Sequence, residues 1–280
     1  MAGRYRLRAL LGRGGMGRVW LAEDELLHRP VALKQAILSD PSGGWYPAAT
    51  DRLLIEACAA ATVHHTGVVT IYDVVTEDSR NWIVMEPLSG HTLAELITAE
   101  GPLSIAQVTC IGLRLLDVLM AAHRAGILHC DVKPANVHLC DDGRVVLTDF
   151  GIACSMLDEA SERTQMAAGS PLYTAPERLR GGNAEPASDM FSLGATLFTA
   201  LEGKPPFSNG RSLFDTVIAV VEGVPAPCPH AGPLRPVIDG LLARNPTDRL
   251  TGEQARTALL DIQQRLQPRL ENHVLEGVNA

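Results

Sequence analysis

The sequence predicts an α+β protein with a small, strand-rich first part and a larger, helical second part. Residues 5–84 form short β-prone runs separated by glycine and proline, and they contain one Ala- and Leu-rich stretch. After Glu86-Pro87-Leu88 the apolar residues recur at the three- and four-residue spacing of helices. We therefore expect two lobes, residues 1–86 and 87–266, followed by a polar, frayed tail at 267–280.

The first lobe is expected to contain a five-stranded sheet and one helix. The predicted strands are Leu7–Leu11, Arg18–Glu23, Val31–Ile37, Val68–Val75 and Trp82–Met85. Ser39–Pro47 is rich in Pro, Ser and Gly and is predicted to be a loop, and Arg52–Val63 follows it as a helix.

Helix start signals recur in the second lobe. Thr92-x-x-Glu95 and Ser104-x-x-Gln107 have the spacing of capping boxes, in which the two side chains satisfy free N–H groups at a helix start. A buried helix face is predicted after Ser104, where apolar residues keep helical spacing up to Leu119. Further helices are predicted at Ala187–Glu202, Ser212–Glu222, Pro236–Ala243 and Thr251–Leu266.

Composition limits the classes of function. The chain has 280 residues and a net charge of −8, which argues against broad nucleic-acid binding because that requires a clustered basic surface. Its six cysteines include no C-x-x-C pair, and without a signal peptide they are predicted to be reduced thiols of a cytoplasmic protein. We expect no apolar stretch to approach the roughly 20 residues that a membrane-spanning helix needs, because the longest candidate, Val217–Val221, is far too short, and we expect no membrane contact from this segment.

Six short motifs follow one another in a fixed order. They are Gly12-x-Gly14-x-x-Gly17 with Val19, Val31–Lys34, Glu56 in the first helix, His129-Cys130-Asp131 with Asn136, Asp149-Phe150-Gly151, and Ala175-Pro176-Glu177. The glycine motif lies between two predicted strands, whereas a helix follows it in dinucleotide-binding folds. Only three lysines occur, and two of them, Lys34 and Lys133, belong to this set. An ammonium group is a compact point charge suited to phosphate oxygens.

In this order the motifs resemble the signature set of eukaryotic-type (Hanks-type) bacterial Ser/Thr protein kinases, especially the actinobacterial members. The resemblance extends from Tyr5 to Leu266 and implies the bilobal protein-kinase fold, with a β-rich N-lobe and a helical C-lobe. It also implies ATP as the phosphate donor, with Mg²⁺, or alternatively Mn²⁺, as the metal. The expected reaction is γ-phosphate transfer to protein Ser/Thr hydroxyls, including autophosphorylation.

The resemblance assigns the catalytic roles residue by residue. Lys34 would hold the α- and β-phosphates and pair with Glu56. Asp131 would act as the catalytic base, and Lys133 would steady the γ-phosphate. Asn136 and Asp149 would bind the metal through oxygen atoms.

A nucleotide pocket is implied in the same way. Met85 would be the gatekeeper, and Glu86-Pro87-Leu88 would form the hinge, in which Glu86 and Leu88 bond to adenine through their backbone. His138 would lie beneath the adenine. The remaining pocket residues are expected to be Leu11, Gly12, Gly14, Gly17, Val19 and Ala32, together with Lys34.

Three other residues are expected to have structural roles. Glu177 and Arg249 resemble the buried pair that anchors the activation segment, and Asp189 resembles the aspartate that ties the catalytic loop to the following helix. Ser170 matches the hydroxyl that contacts the catalytic Asp and Lys in Ser/Thr kinases.

Two departures from the pattern leave alternatives open. Cys130 replaces an arginine that normally pairs with a phosphorylated activation-segment residue, here Thr164, and a thiol cannot bind phosphate in that way. His138 replaces an aliphatic residue, which predicts weaker ATP binding. A pseudokinase that binds partners is therefore one alternative, although all six proposed catalytic and metal-binding residues are present. A small-molecule kinase is the other, although relatives of that kind lack the Ala-Pro-Glu segment.

Partners and location follow from the resemblance as well. Protein substrates with Ser or Thr are expected, and nucleic acid is not. Trp45 and Tyr46 lie in a predicted exposed loop and suggest a contact surface, so a homodimer is an alternative to a monomer. The chain is expected to be cytoplasmic, or to be the cytoplasmic domain of a membrane receptor if it is part of a longer protein.

Overall fold

The computed structural model describes residues 3–14, 17–36, 47–77, 80–150, 154–155, 171–207 and 212–276. An antiparallel five-stranded sheet forms most of the N-lobe, and helices form most of the C-lobe, so the predicted α+β fold is confirmed. The boundary at residue 86 follows the last strand of the large sheet, which ends at Met85.

The N-lobe sheet has the strand order β1-β2-β3-β5-β4. Its elements are β1 (Tyr5–Gly14), β2 (Gly17–Asp24), β3 (Arg29–Ala36), α1 (Pro47–Thr62), β4 (Ile71–Glu77) and β5 (Arg80–Met85). All five predicted strands form, but β4 begins three residues later than predicted. The reason is tertiary, since Val68 forms a parallel bridge with Leu147 of the C-lobe instead.

The two faces of β3 have different surroundings. Val31 and Leu33 are fully buried in the N-lobe core with Tyr5, Trp82 and other apolar residues of the sheet. Because side chains alternate across a strand, Lys34 lies on the opposite face. There it is buried against α1 and the C-lobe. The alternation of β3 therefore directs one lysine into the interface between the lobes.

The C-lobe combines helices with short strands. Its helices are α2 (Leu93–Glu100), α3 (Ile105–Arg124), α4 (Pro176–Leu179), α5 (Pro186–Glu202), α6 (Leu213–Glu222), α7 (Arg235–Leu241) and α8 (Gly252–Glu276). Its short strands are β6 (His91–Thr92), β7 (Ile127–Leu128), β8 (Val137–Leu139), β9 (Val145–Leu147) and β10 (Cys154–Ser155). β6, β8 and β9 form one small sheet, and β7 pairs with β10.

Both predicted capping boxes are present. The N–H of Glu95 donates to Thr92 Oγ1 at 3.2 Å, and the N–H of Thr92 donates to Glu95 Oε2 at 2.8 Å. The same reciprocal pair joins Ser104 and Gln107, at 3.3 and 3.0 Å. These bonds fix the first turns of α2 and α3 through local sequence alone.

Two expectations are corrected. α8 continues to Glu276, so residues 267–276 extend the last helix rather than forming a frayed tail. This stretch contains good helix formers such as Gln, Arg, Leu and Glu, whereas its Pro268 disfavours a helix interior. In addition, α3 is long and apolar enough, by length and composition, to cross a membrane, and more than half of its most apolar window is buried in the C-lobe. The expectation that no segment has these properties was therefore wrong.

α5 forms the centre of the C-lobe, and its residues from Ser188 to Leu201 are all buried. Glycine allows close approach at two helix contacts. At Gly194 of α5 an added Cβ would lie 2.7 Å from Leu241 Cβ and 3.3 Å from the Leu241 carbonyl carbon. At Gly112 of α3 it would meet the side-chain ends of Leu259 and Leu197, at 3.0 and 3.2 Å.

We expect Gly194→Ala to lower the free energy of unfolding by about 1–3 kcal/mol, because the new methyl group overlaps atoms close to the α7 backbone. Gly112→Ala is the matched control. It gains the same helix preference of about 1 kcal/mol and displaces only flexible leucine ends, so it should be clearly less destabilised. Urea unfolding of the wild type and both variants measures the difference, and equal effects would contradict this account of the packing.

Candidate active site

The loop that carries Asp131 is fixed by a buried carboxylate of α5. Asp189 accepts the backbone N–H of His129 at 2.9 Å and of Cys130 at 2.8 Å, one on each oxygen. His123 Nε2, from the last turn of α3, lies 2.8 Å from Asp189 Oδ2. Burial raises the pKa of Asp189, but the bond from His123 and the neighbouring donors lower it overall, so the carboxylate stays charged.

This carboxylate stabilises an unusual backbone conformation. Cys130 has a φ of 64°, in the left-handed region that non-glycine residues rarely adopt. Such a conformation costs on the order of 1 kcal/mol and persists where surrounding contacts hold it. The two N–H bonds to Asp189 supply such contacts. As a result the chain turns at Cys130, and Asp131, which follows it, is buried.

Asp131, Lys133 and Asn136 form one cluster. Lys133 Nζ lies 2.6 Å from Asp131 Oδ2, and Asn136 Nδ2 donates to the same oxygen and to the Asp131 carbonyl, at 2.9 Å each. Both side-chain bonds use Oδ2, so Asp131 Oδ1 is not engaged by them. The bonds of Asn136 use its amide nitrogen and leave its carbonyl oxygen available to a hard cation.

Lys34, Glu56 and Asp149 form a second cluster. Lys34 Nζ lies 2.5 Å from Glu56 Oε1 and 2.6 Å from Asp149 Oδ1. Burial lowers the pKa of Lys34, but the two carboxylates outweigh it and raise this pKa above its ordinary value. Burial raises the pKa of Asp149, whereas Lys34 lowers it overall. At neutral pH the ammonium group is thus charged, and it is tied to α1 as well as to the C-lobe.

The two clusters are joined through the β8–β9 hairpin. Asn136 precedes β8 and Asp149 follows β9, and the N–H of Thr148 donates to the Asn136 carbonyl at 2.9 Å. The two proposed metal ligands therefore extend from the same end of one hairpin. Asp149 has a φ of 63°, so its backbone also occupies the left-handed region.

His129 packs beneath this junction. Its Nε2 donates to the Thr148 carbonyl at 3.0 Å, its Nδ1 accepts the N–H of Asp131 at 3.2 Å, and its ring meets Phe150 edge-on. One nitrogen donates and the other accepts, as in a neutral imidazole. Burial lowers the pKa of His129, which agrees with that state.

The proposed nucleotide residues lie on both sides of the lobe boundary, on β1 to β3, at the hinge and on β8. Ala32 pairs with Met85 across β3 and β5, and Leu88 packs with Met85 in a small apolar cluster. In the β1–β2 hairpin Gly12 lies opposite Val19, and Gly14 lies opposite Gly17. Leu11 is half exposed in β1. His138 Nε2 donates to the Ser89 carbonyl at 2.9 Å, so the imidazole bonds to the segment that follows the hinge.

The expected pair between Glu177 and Arg249 forms. Arg249 Nη1 and Nη2 lie 2.8 and 3.0 Å from the two oxygens of Glu177, and Ser188 Oγ donates to Glu177 Oε1 at 2.9 Å. The guanidinium group is fully buried and also bonds to backbone carbonyls, among them that of Ala187. Burial raises the pKa of Glu177, but Arg249 lowers it overall, so the pair is ionic.

Two residues in this region were not found from the sequence. His123 contacts Asp189, and Arg144, at the turn of the β8–β9 hairpin, forms an ion pair with the hinge residue Glu86 at 2.9 Å. The partners are separated by 66 and 58 residues, so no local spacing connects them. His123 lies in the last turn of α3, beyond Leu119, where the predicted helical spacing ends, so no sequence signal marked it.

Several sequence expectations fall outside the described residues. Gly151, Thr164, Ser170, Trp45 and Tyr46 belong to this group. Within the described part of the chain, no group of three or more His, Cys, Asp or Glu side chains is arranged to hold a metal ion. A site of one carboxylate and one amide oxygen is compatible with that finding, since Mg²⁺ commonly uses one or two protein ligands together with substrate phosphates.

Residues 5–259 match the sequence pattern of the protein kinase domain family. The chain belongs to this family. Its matched region includes both clusters, the hinge and the Ala-Pro-Glu segment, so the kinase domain comprises nearly all of the described structure.

Bacterial relatives have similar sequences. Serine/threonine-protein kinase PknL of Mycobacterium tuberculosis is 35% identical over 272 residues, which cover 92% of this chain and 65% of that protein. PknA of the same species is 35% identical over 258 residues, or 89% of this chain and 58% of PknA. PrkC of Bacillus subtilis is 39% identical over 209 residues, or 75% of this chain and 32% of PrkC. The chain thus spans less than two thirds of the length of these relatives.

The Glu177–Arg249 pair of this kinase domain predicts a large energetic coupling. Arg249→Met should destabilise the protein by about 3–5 kcal/mol, because it leaves a buried carboxylate without its partner. The double variant Glu177→Gln/Arg249→Met should lose clearly less free energy of unfolding than the sum of the losses in the two single variants. The exposed pair Arg235–Asp239, 2.7 Å apart, is the control, with an expected coupling of about 0–1 kcal/mol. Urea unfolding supplies both cycles, and additive effects at Glu177 and Arg249 would contradict the coupling.

Proposed function

We propose that this chain is a Ser/Thr protein kinase that transfers the γ-phosphate of ATP to protein Ser or Thr hydroxyls. The observation that carries this proposal is the convergence of the two clusters. Lys34 is bonded to Glu56 and Asp149, and the hairpin bond between Thr148 and Asn136 joins this cluster to Asp131. Family membership and the names of the relatives support the same activity.

Each side chain has a role in phosphoryl transfer that its position supports. Lys34 would neutralise the α- and β-phosphates, and Glu56 would keep its ammonium group oriented. Asp131 would orient the substrate hydroxyl and accept its proton through Oδ1 as the hydroxyl oxygen attacks the γ-phosphorus and ADP leaves. Lys133, already 2.6 Å from Asp131, would reduce the negative charge that collects around the transferred group.

Asn136 and Asp149 would hold the metal. Both offer hard oxygen atoms from one end of the β8–β9 hairpin, which fits Mg²⁺, and Mn²⁺ is the alternative. When bound, the metal supplies positive charge to the β- and γ-phosphates. Lys34 Nζ lies 2.6 Å from Asp149 Oδ1, so the chain itself provides positive charge next to this carboxylate.

The two alternative functions have less support. A pseudokinase would be favoured by loss of a catalytic group, but all six proposed catalytic and metal-binding residues are present and form the two clusters. A small-molecule kinase would not need a platform for a peptide. Here Glu177 of the Ala-Pro-Glu segment is anchored to Arg249. The first observation favours an active kinase, and the second favours a protein substrate.

The substrates, autophosphorylation and cellular location belong to the proposal as well. PknL, PknA and PrkC are named Ser/Thr-protein kinases, and we propose protein substrates and autophosphorylation for this chain by similarity. We further propose a cytoplasmic catalytic domain that functions as a monomer or as a homodimer, which sedimentation velocity would distinguish.

Asp131→Asn should leave a folded protein and lower phosphoryl transfer by about 10²–10⁴-fold, because it removes the proton acceptor. Transfer of radiolabelled phosphate from ATP to a generic protein substrate and to the chain itself measures the effect. Asp215→Asn, on α6 and not a member of either cluster, is the matched control. Near-wild-type turnover of Asp131→Asn would contradict the proposed mechanism, and phosphorylation of only a small molecule by the wild type would contradict the substrate class.

Lys34→Ala and Asp149→Ala should both abolish measurable transfer, for different physical reasons. Loss of Lys34 removes a charge from the phosphates, whereas loss of Asp149 removes a metal ligand. Nucleotide binding across a series of Mg²⁺ concentrations should therefore change its metal dependence in Asp149→Ala but not in Lys34→Ala. The same metal dependence in both variants would contradict the separate roles.

A further inference from the structure

The side chain of Glu86, the first hinge residue, is bonded from both lobes. From the segment before β4, the N–H of Thr70 donates to Glu86 Oε1 at 2.9 Å, and the N–H of Glu86 donates to the Thr70 carbonyl at 2.9 Å. From the C-lobe, Arg144 Nη1 and Nη2 donate to Oε1 and Oε2 at 3.3 and 2.9 Å. One carboxylate therefore joins the N-lobe to the C-lobe at the point where the chain crosses between them.

Arg144 is itself held in one orientation. Its Nε donates to Asp142 Oδ2 at 2.8 Å, and its backbone N–H donates to Asp142 Oδ1 at 3.0 Å. The turn is closed by the N–H of Cys140, which donates to the Arg144 carbonyl at 2.9 Å. The guanidinium fork thus points toward the hinge, and its bonds to Asp142 leave little side-chain entropy to be lost.

The pair is sheltered enough to be effective. The Glu86 side chain is 13% exposed and that of Arg144 is 34% exposed, so solvent screens this pair less than it screens a surface pair. Burial raises the pKa of Glu86, but the bonds from Arg144 lower it overall, so the carboxylate is charged at neutral pH.

Arg144 lies at the turn of the hairpin whose other end carries Asn136 and Asp149. β8 and β9 are three residues each and are paired in register, from Leu139 opposite Val145 to Val137 opposite Leu147. A short, fully paired hairpin is rigid, so a shift of its turn also shifts its open end. The Glu86–Arg144 pair therefore connects the hinge to the two proposed metal ligands through a single rigid element.

We propose that Arg144 is a positioning residue, and that its pair with Glu86 sets the separation between the adenine-binding hinge and the Asn136–Asp149 end of the hairpin. This inference rests on the proposed function, because it concerns how one nucleotide spans these two places. ATP must bind at the hinge and at the Asn136–Asp149 end of the hairpin at the same time, whereas adenosine contacts only the hinge. Loss of the pair should consequently weaken MgATP much more than adenosine.

Isothermal titration with MgATP and with adenosine tests this inference. In Arg144→Gln we expect MgATP to bind about tenfold more weakly and adenosine to change by less than about twofold, which is the size of a coupled ionic contact. Arg144→Lys keeps the positive charge but loses the forked guanidinium geometry, so its affinity for MgATP should lie between those of the wild type and of Arg144→Gln. The double variant Glu86→Gln/Arg144→Gln should bind MgATP no more weakly than the single variant that binds it less tightly. Arg265→Gln, which breaks an exposed pair with Asp261 on α8, is the matched control and should bind both ligands like the wild type.

Each other outcome would overturn the inference. If MgATP affinity is unchanged in Arg144→Gln, or if adenosine weakens as much as MgATP, the pair does not set the separation. If Arg144→Gln lowers the melting temperature and leaves both affinities intact, Arg144 only stabilises the fold. If the wild type fails to bind MgATP, the proposed function fails and this inference fails with it, so the wild-type titration separates the two failures.

Discussion

The buried carboxylate of Asp189 is the interaction on which the geometry of the site depends most directly. It lies in α5, the helix that the rest of the C-lobe surrounds, and it accepts two consecutive backbone N–H groups of the loop that carries Asp131. A buried charge is costly unless its hydrogen bonds are satisfied. The same requirement that keeps Asp189 bonded therefore keeps the loop in its left-handed turn at Cys130. His123 completes the arrangement from α3.

A second constraint joins the two lobes. Lys34 is carried by the sheet, Glu56 by α1 and Asp149 by the end of β9, so one ammonium group holds three elements together. Because this ammonium group is buried, an unpaired charge there would be destabilising. The three elements therefore keep these contacts together or lose them together. Hydrophobic packing places the lobes next to each other, and this cluster and the Glu86–Arg144 pair add ionic contacts between them.

Without the family resemblance, the parts of the structure that could be predicted from the sequence are those encoded locally. The long-range pairs Lys34–Glu56 and Glu177–Arg249 were expected from the resemblance alone. A capping box, such as those at Thr92 and Ser104, is recognised from two residues three positions apart. The alternation of side chains around Lys34 is recognised from adjacent residues of one strand. The interactions of Arg144 and His123 could not be predicted, because their partners are distant in sequence and arginine is abundant in this chain. The predicted start of β4 was also wrong. Val68 is a residue type that favours strands, but it pairs with Leu147 in the other lobe and not with the N-lobe sheet. Tertiary contacts decided each of these cases.

The position of α5 in the chain has a consequence for how the protein is made. Asp189 lies 60 residues after His129, and Arg249 lies 72 residues after Glu177. On the ribosome the N-terminal segments emerge first. The loop that carries Asp131 is therefore synthesised well before the carboxylate that shapes it, and the Ala-Pro-Glu segment before the guanidinium that anchors it. During translation the N-lobe sheet can form while the active site still lacks its supports, so the nascent chain cannot assemble this site until most of the C-lobe has left the exit tunnel.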